Sequence, residues 1–466
     1  MFSVQTYLKR REMLLKQIDK GLLLFLGNEE SPMNYKDNFY RFRQDSSFLY
    51  YFGHNEPGMA AVLDTETGES ILFGYDFGID DIIWMGPQKT LHEKGKQIGV
   101  ADTRPIDQLF SFINKAVKQG RRIHYLPPYR DEHRIKLNQF LGKDFNEIKN
   151  GASEPFILAV VAQRSVKEPQ EIEEIERAHA ITREMHLTAM SMAQPGLYER
   201  DIAGTIEGIA LSKGSGTSFP VILSVRGETL HNNYHGNRLE KGHLMVNDSG
   251  AQSLNNYAAD ITRTIPIGGL FTAKQRAVYE IVLAAQTRAI EAIAPGKRYL
   301  DIHLLAAKTI AQGLKDIGLM KGNPDEAVAQ GAHALFFPHG LGHMMGLDVH
   351  DMENLGEDYV GYDESVQRSR QFGLAYLRLA KSLQPGYVLT VEPGIYFIPA
   401  LIELWQKEGK FNDFIDYYEV KKYIGFGGIR IEDDVEVTAS GYRVIGENIP
   451  KTPEEIEQIC GQTQES

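Results

Sequence analysis

Three histidines, His339, His343 and His350, fall within FFPHGLGHMMGLDVHD at residues 336–351. Imidazoles at this density point to metal binding or proton transfer. His339 and His343 are four residues apart, the spacing at which two zinc ligands share one helix face in H-E-x-x-H proteases. Local physics rejects that helix. Gly340 and Gly342 stand between the histidines, and glycine disfavours a helical turn. No glutamate follows His339 to act as base. GLGHMMG is not a dinucleotide loop either, because its glycine spacing is wrong and a histidine occupies its middle. The histidines therefore need partners from elsewhere in the chain.

Four acids are candidates. Asp248 ends the apolar run LMVN in GHLMVNDSG (242–250), and Glu392 ends VLTV in GYVLTVEPG (386–394). A carboxylate in an apolar strand context is costly to bury unless it is paired or bound to metal. Asp260 opens DITRTIP, whose threonines and isoleucines suit a strand. Glu432 lies in GGIRIEDDVEV, where the two-residue period puts Ile429 and Ile431 on one side and Arg430 and Glu432 on the other. Taken alone, RIEDDVEV reads as a charged strand face in water. Four carboxylates with one imidazole suit manganese, cobalt or zinc. They also carry charge for two divalent ions. Two ions roughly 3.5–4 Å apart share bridging carboxylates and activate a bridging water near neutral pH. The chemistry implied is hydrolysis of a carbonyl or phosphoryl bond.

These residues need a scaffold. A chain of 466 residues exceeds one ordinary core, so two domains are expected. Its net charge of −12 argues against nucleic acid or an anionic membrane as main partner. The single cysteine, Cys460, excludes an intramolecular disulfide and fits a reducing compartment. MFSVQTYLKRREMLLKQIDKG has charges throughout and no apolar centre like that of a secretory leader. No run approaches the roughly 18 apolar residues of a membrane helix. The expected location is cytoplasmic.

Residues 1–155 read as an α/β domain. GLLLFLGN, MAAVLD and ESILFG have strand length, and DQLFSFINKAVKQG has helical spacing and a terminal glycine. Residues 156–466 form the expected second domain, in which Pro169 suits a first helical position. This part contains an internal echo. QPGLYERDI (from Gln194) and APGKRYLDI (from Ala294) share Pro-Gly, four residues, Asp-Ile. GHLMVNDSG and GYVLTVEPG then share glycine, five residues, an acid, one residue, glycine. Two matched pairs in matched order predict two related halves, each delivering an acid at a strand end.

Together NDSGAQSLNNYAADITRTIP, PHGLGHMMGLDVHD, LTVEPGIYF and GGIRIEDDVEVT resemble the ligand segments of the pita-bread metallopeptidases. That family includes methionine aminopeptidases, Xaa-Pro aminopeptidases (aminopeptidase P) and Xaa-Pro dipeptidases (prolidases). The resemblance implies an α/β (α+β) fold: a pita-bread catalytic domain with pseudo-twofold halves, preceded by a smaller α/β N-terminal domain. It implies five metal ligands, Asp248, Asp260, His343, Glu392 and Glu432, with Asp260 and Glu432 bridging two divalent ions. Manganese is the expected metal, with cobalt and zinc as alternatives. Glu392 would also take the proton of the bridging water. His231 would help stabilise the tetrahedral intermediate, with His235 as its alternative. His350 would contact the scissile carbonyl or the proline side, and His339 would shape the substrate pocket. Arg430 would steady the carboxylates. One departure is the spacing of Asp248 and Asp260, which is 12 (260 − 248) where the family usually has 11. A hairpin loop in AQSLNNYAA, turning at Asn255-Asn256, would absorb the extra residue.

RFRQDSSFLYYFGHNEPG resembles the N-terminal part of aminopeptidase P. The insertion YFIPALIELWQKEGKFNDFIDYYEVKKYIGFGG and the stretch PKTPEEIEQI resemble prolidases. The expected activity is release of the N-terminal residue from peptides with proline second, with an Xaa-Pro dipeptidase as the alternative. An Xaa-Pro bond is a tertiary amide without N–H, so it requires a dedicated pocket. A homodimer or homotetramer is expected from the resemblance alone. Two other readings are a non-catalytic pita-bread module, opposed by the intact ligand set, and a two-metal phosphoesterase, for which Arg430 is the only cation in view.

Overall fold

In the computed structural model, which describes residues 1–462, the apolar runs near the N-terminus are strands β1 (Leu22–Leu26), β2 (Ala60–Asp64) and β3 (Ser70–Gly74). With β4 (Asp102–Pro105) and β5 (Ile123–His124) they form one sheet of order β4-β3-β2-β1-β5. The central β2 is antiparallel to both β1 and β3, and the two edge strands are added in parallel. The helix Gln108–Lys118 places Leu109, Ile113 and Ala116 on one face, against Leu22, Leu24, Val62 and Phe73. By strand alternation Phe25 points to the other face, where it meets Tyr51, Phe52 and Phe156.

The chain divides into two compact units, residues 1–164 with Met352–Tyr359, and Ser165–Asp351 with Val360 onward. The division falls at 164/165 and not near 155. Residues Glu154–Ser165 are a single helix, and its Phe156 packs on β1.

The second unit opens with the helix Pro169–Ser191, with Pro169 in its first turn. Its strands are β6 (Ile222–Ser224), β7 (Leu244–Ser249), β8 (Ile261–Pro266), β9 (Val388–Val391), β10 (Gly394–Tyr396), β11 (Gly428–Arg430), β12 (Asp433–Val437) and β13 (Tyr442–Val444). They pair as β6-β7-β8, β13-β12-β9 and β10-β11, all antiparallel. β7, β8 and β9 are buried along their whole length. The first helix packs on β7, and the helix Ala273–Glu291 packs on β9, β10 and β11.

The internal echo recurs as repeated hydrogen bonds. The Gly196 N–H donates to the Leu239 carbonyl at 2.9 Å, and the Gly296 N–H donates to the Leu383 carbonyl at 2.8 Å. Glu199 donates to Asn237, and Tyr299 donates to Lys381, each at 3.0 Å. Each segment then leads into β7 or β9. One offset, 383 − 239 = 392 − 248 = 144, carries Leu239 to Leu383 and Asp248 to Glu392. Among the described residues no helix is long and apolar enough to cross a membrane.

Candidate active site

Strand ends deliver the acids. Asp248 lies near the end of β7, paired to Ile222 and Thr262. Asp260 precedes β8, and Glu392 follows β9. Glu432 sits between β11 and β12, where its N–H donates to the Thr262 carbonyl at 3.1 Å. The loop between Asp248 and Asp260 turns at Asn256, whose φ is +65° and whose N–H donates to Ser253.

The segment holding His339 and His343 is irregular, as its glycines predict. It lies along β9: the Thr390 N–H donates to the His343 carbonyl at 3.0 Å, and the His343 N–H donates to Thr390 Oγ1 at 3.2 Å. Gly342 permits this approach, since a Cβ there would lie 2.0 Å from the Thr390 carbonyl oxygen.

Asp260, His343 and Glu432 converge, with one ligand-type atom from each lying within 4.8 Å of the others. His343 Nε2 is 3.4 Å from Asp260 Oδ2 and 3.8 Å from Glu392 Oε1. Asp248 turns one oxygen to Arg430, with Nη2–Oδ2 at 2.6 Å. Arg430 also donates to the Tyr396 hydroxyl at 2.8 Å and to Thr262 Oγ1 at 3.2 Å. The Thr262 hydroxyl in turn donates to Glu432 Oε2 at 2.6 Å. Arg430 and Glu432 are both buried, so the face read as solvated is interior. The buried Arg263 donates to the Glu432 carbonyl and to Asp433, each at 2.6 Å.

Three carboxylate oxygens, Asp248 Oδ1, Asp260 Oδ1 and Glu432 Oε1, are buried without a hydrogen-bond partner among the described residues. Burial, with Asp248 adding repulsion, raises the Asp260 carboxyl well above its usual range. Burial and Asp260 do the same to Glu432. Burial also pushes Glu392 up to about 8, against the opposing pull of Arg430. Such a cluster requires compensating positive charge, and its acceptor-only oxygens with one imidazole fit divalent cations.

These residues open on a cavity of about 540 Å³, also lined by His231, His339, His350, Phe219, Leu230, Phe372, Tyr376 and Arg378. His350 stands edge-on to His343, with ring centroids 4.3 Å apart. His339 Nε2 meets the Tyr396 hydroxyl at 2.9 Å, and burial pushes this imidazole down to about 3, so it is neutral. His231 is exposed at the cavity rim, whereas His235 Nε2 meets the Val221 carbonyl at 3.0 Å.

Thr262, Tyr396 and Arg378 are additions to the expected set. Thr262 carried a readable signal, since strand alternation puts it on the same face as Asp260 two residues earlier. Tyr396 and Arg378 carried none, because their places depend on contacts between distant segments.

The profile of metallopeptidase family M24 matches residues 173–439, and that of the aminopeptidase P N-terminal domain matches residues 7–124. The Xaa-Pro dipeptidase of Homo sapiens is 33% identical over 447 residues, 94% of this chain and 88% of the relative. The Xaa-Pro aminopeptidase of Escherichia coli is 31% identical over 475 residues, 98% of each chain. Aminopeptidase P from E. coli, solved with the inhibitor Pro-Leu, superposes with a TM-score of 0.81 at 29% identity, covering 100% of both chains. With an N-terminal α/β domain, two echoed pita-bread halves and these relatives, the chain belongs to metallopeptidase family M24, within its Xaa-Pro aminopeptidase and dipeptidase group.

Proposed function

We propose that this chain is an Xaa-Pro aminopeptidase, releasing the N-terminal residue from peptides with proline in second position. The observation that carries this reading is the convergence of three partnerless buried carboxylate oxygens with His343 in one cavity. Asp248, Asp260, His343, Glu392 and Glu432 would hold two divalent ions, manganese first. Bound ions would supply Lewis acidity toward the scissile carbonyl and lower the pKa of the attacking water. Glu392, which faces the cavity, takes the proton of that water. It returns the proton to the prolyl nitrogen, which has no hydrogen of its own and must gain one to leave. His231 and His350 face the carbonyl, and the neutral His339 against Tyr396 forms the wall for the proline ring. Arg430 clamps Asp248, so that its free oxygen points one way. The test is hydrolysis of Ala-Pro and of a longer Ala-Pro-Yaa peptide with Mn²⁺. An absence of cleavage of both sinks the reading.

One observation favours the dipeptidase alternative. Two arginines, Arg378 and Arg430, line the cavity. Arg378 is a second cation, suited to a free carboxylate just beyond proline. In that case Arg378→Met raises KM for Ala-Pro about 10- to 100-fold, the worth of a charged hydrogen bond, and the longer peptide is a poor substrate throughout. Equal losses on both peptides reject a carboxylate role.

The expected oligomer has a candidate surface in the first unit. The helix Ile79–Met85 has no buried residue, with Ile83 at 68% and Trp84 at 86% exposure. Exposed apolar side chains at this density mark an association surface. Ile83→Asp/Trp84→Asp is expected to shift the sedimentation coefficient toward that of a monomer, and an unchanged coefficient removes this helix from any interface. A cytoplasmic location rests on the single, buried Cys460.

A further inference from the structure

Lys167 and Asp351 form an ion pair with Nζ–Oδ2 at 2.9 Å, each side chain only 1% exposed. Neither residue lines the cavity. Pairs buried this deeply add little net stability, because apolar residues of the same volume often serve equally well. Their placement gives them another use. The Asp351 N–H donates to the Met344 carbonyl at 2.9 Å, closing the loop 344–351 on itself. The residue before each end of that closure is a histidine, His343 and His350, and their rings meet at 4.3 Å. The Asp351 carboxylate accepts from Lys167 through one oxygen and from the Asp348 N–H, at 3.3 Å, through the other. Lys167 is itself fixed, since its N–H donates to the Gly386 carbonyl at 2.8 Å, just ahead of β9. The loop folds tightly over the pair. A Cβ at Gly346 would lie 2.6 Å from Asp351 Oδ2 and 2.9 Å from Lys167 Cε.

We propose that Lys167 and Asp351 are positioning residues: their buried ion pair sets the histidine loop and so holds the His350 ring against His343 at the cavity wall. The inference rests on the reading that His350 faces substrate. Lys167 acts from outside the cavity, through a loop whose closure aligns a metal-type ligand with a substrate-facing imidazole. A point contact between charges specifies direction where apolar packing of the same volume would leave the loop free to settle otherwise. A displacement of about 1 Å at such a group costs up to about 10²-fold in rate.

The test uses the full chain loaded with Mn²⁺ and three variants: Lys167→Met, Lys167→Met/Asp351→Leu, and Gly346→Ala. Thermal midpoint, manganese per chain, and kcat and KM for Ala-Pro hydrolysis are measured. Lys167→Met strands a buried carboxylate, so its midpoint falls. In the double variant the midpoint returns toward wild type, while kcat stays about 10- to 100-fold low with KM and manganese content little changed. Gly346→Ala, which alters no charge, lowers kcat in the same way. A double variant that recovers kcat together with its midpoint overturns the proposal, as does wild-type kcat in Gly346→Ala. A crystal structure of the double variant gives a readout independent of activity. The His350 ring should have left its place beside His343, and an unmoved ring overturns the proposal even if the chain hydrolyses no Xaa-Pro bond. Failure of the wild-type chain to cleave Ala-Pro, with the ring displaced in the variant, counts against the functional reading and leaves the positioning role standing.

Discussion

Asp260→Asn is expected to lower Ala-Pro hydrolysis by at least about 10³-fold, since loss of one member of a catalytic unit disables the whole unit. Asp260 is buried, 3.4 Å from His343 Nε2, with Oδ1 unpartnered among the described residues. Asparagine keeps its shape, and the backbone N–H can still donate to Asp434 Oδ2. The carboxamide, however, presents an N–H₂ to a site built from acceptors, and it removes one negative charge. A second consequence separates this effect from misfolding. Without metal, burial and the neighbouring Asp248 make a charged Asp260 unfavourable. The variant should therefore melt above the wild type in EDTA while remaining inactive with Mn²⁺, a stability gained where function is lost. Steady-state kinetics and thermal melts check both halves. Full activity in Asp260→Asn or Asp260→Ala, or activity loss that tracks a lower melting point, removes Asp260 from the site.

Asp248 and Glu392 were legible because two sequence echoes in the same order imply equivalent strand ends, and the structure repeats them with matching hydrogen bonds. The glycines at 340 and 342 were legible as breakers of a helix. Their positive role was not, because it lies in the approach of Gly342 to the Thr390 carbonyl across β9. Strand alternation placed Arg430 and Glu432 on one face, but alternation does not say what covers a face. That face is buried because Glu432 bridges Thr262, a pairing 170 residues away in sequence. Alternation likewise puts Thr262 on the Asp260 face without showing that its hydroxyl reaches Glu432. The expected division near 155 cuts the helix Glu154–Ser165, which is tied to the first unit by tertiary contacts such as Phe156 on Phe25 and the Tyr51 hydroxyl on Gln163. Attachment of Met352–Tyr359 to the first unit is likewise a tertiary fact.

Chelation should reverse the pH dependence of stability. Burial raises Asp260 and Glu432 well above the carboxylate range and Glu392 to about 8. A group whose folded pKa exceeds its unfolded value binds its proton more tightly when folded. Its contribution is complete below the unfolded value of roughly 4.3 and is lost as pH rises through the folded value. In EDTA, the melting temperature is therefore expected to fall steadily between about pH 5 and pH 8. Divalent ions demand the opposite state, with the carboxylates deprotonated, so their affinity rises with pH. The increase in melting temperature on adding Mn²⁺ should be larger at about pH 8 than at about pH 5.5, because stabilisation follows the logarithm of ligand over dissociation constant. Asp433 supplies an internal contrast. Burial alone would raise its carboxyl, but Arg263 and Lys451 outweigh it and depress the pKa. Its contribution is present above the unfolded value and is lost as pH falls into the acid range, with or without metal. A chelated protein should thus show both an acid limb and the decline between about pH 5 and pH 8, and the metal-loaded protein only the first. Thermal melts across pH with EDTA and with Mn²⁺ decide this, and a decline equally steep in both samples, or absent from both, would place the compensating charge of the acidic cluster somewhere other than bound metal.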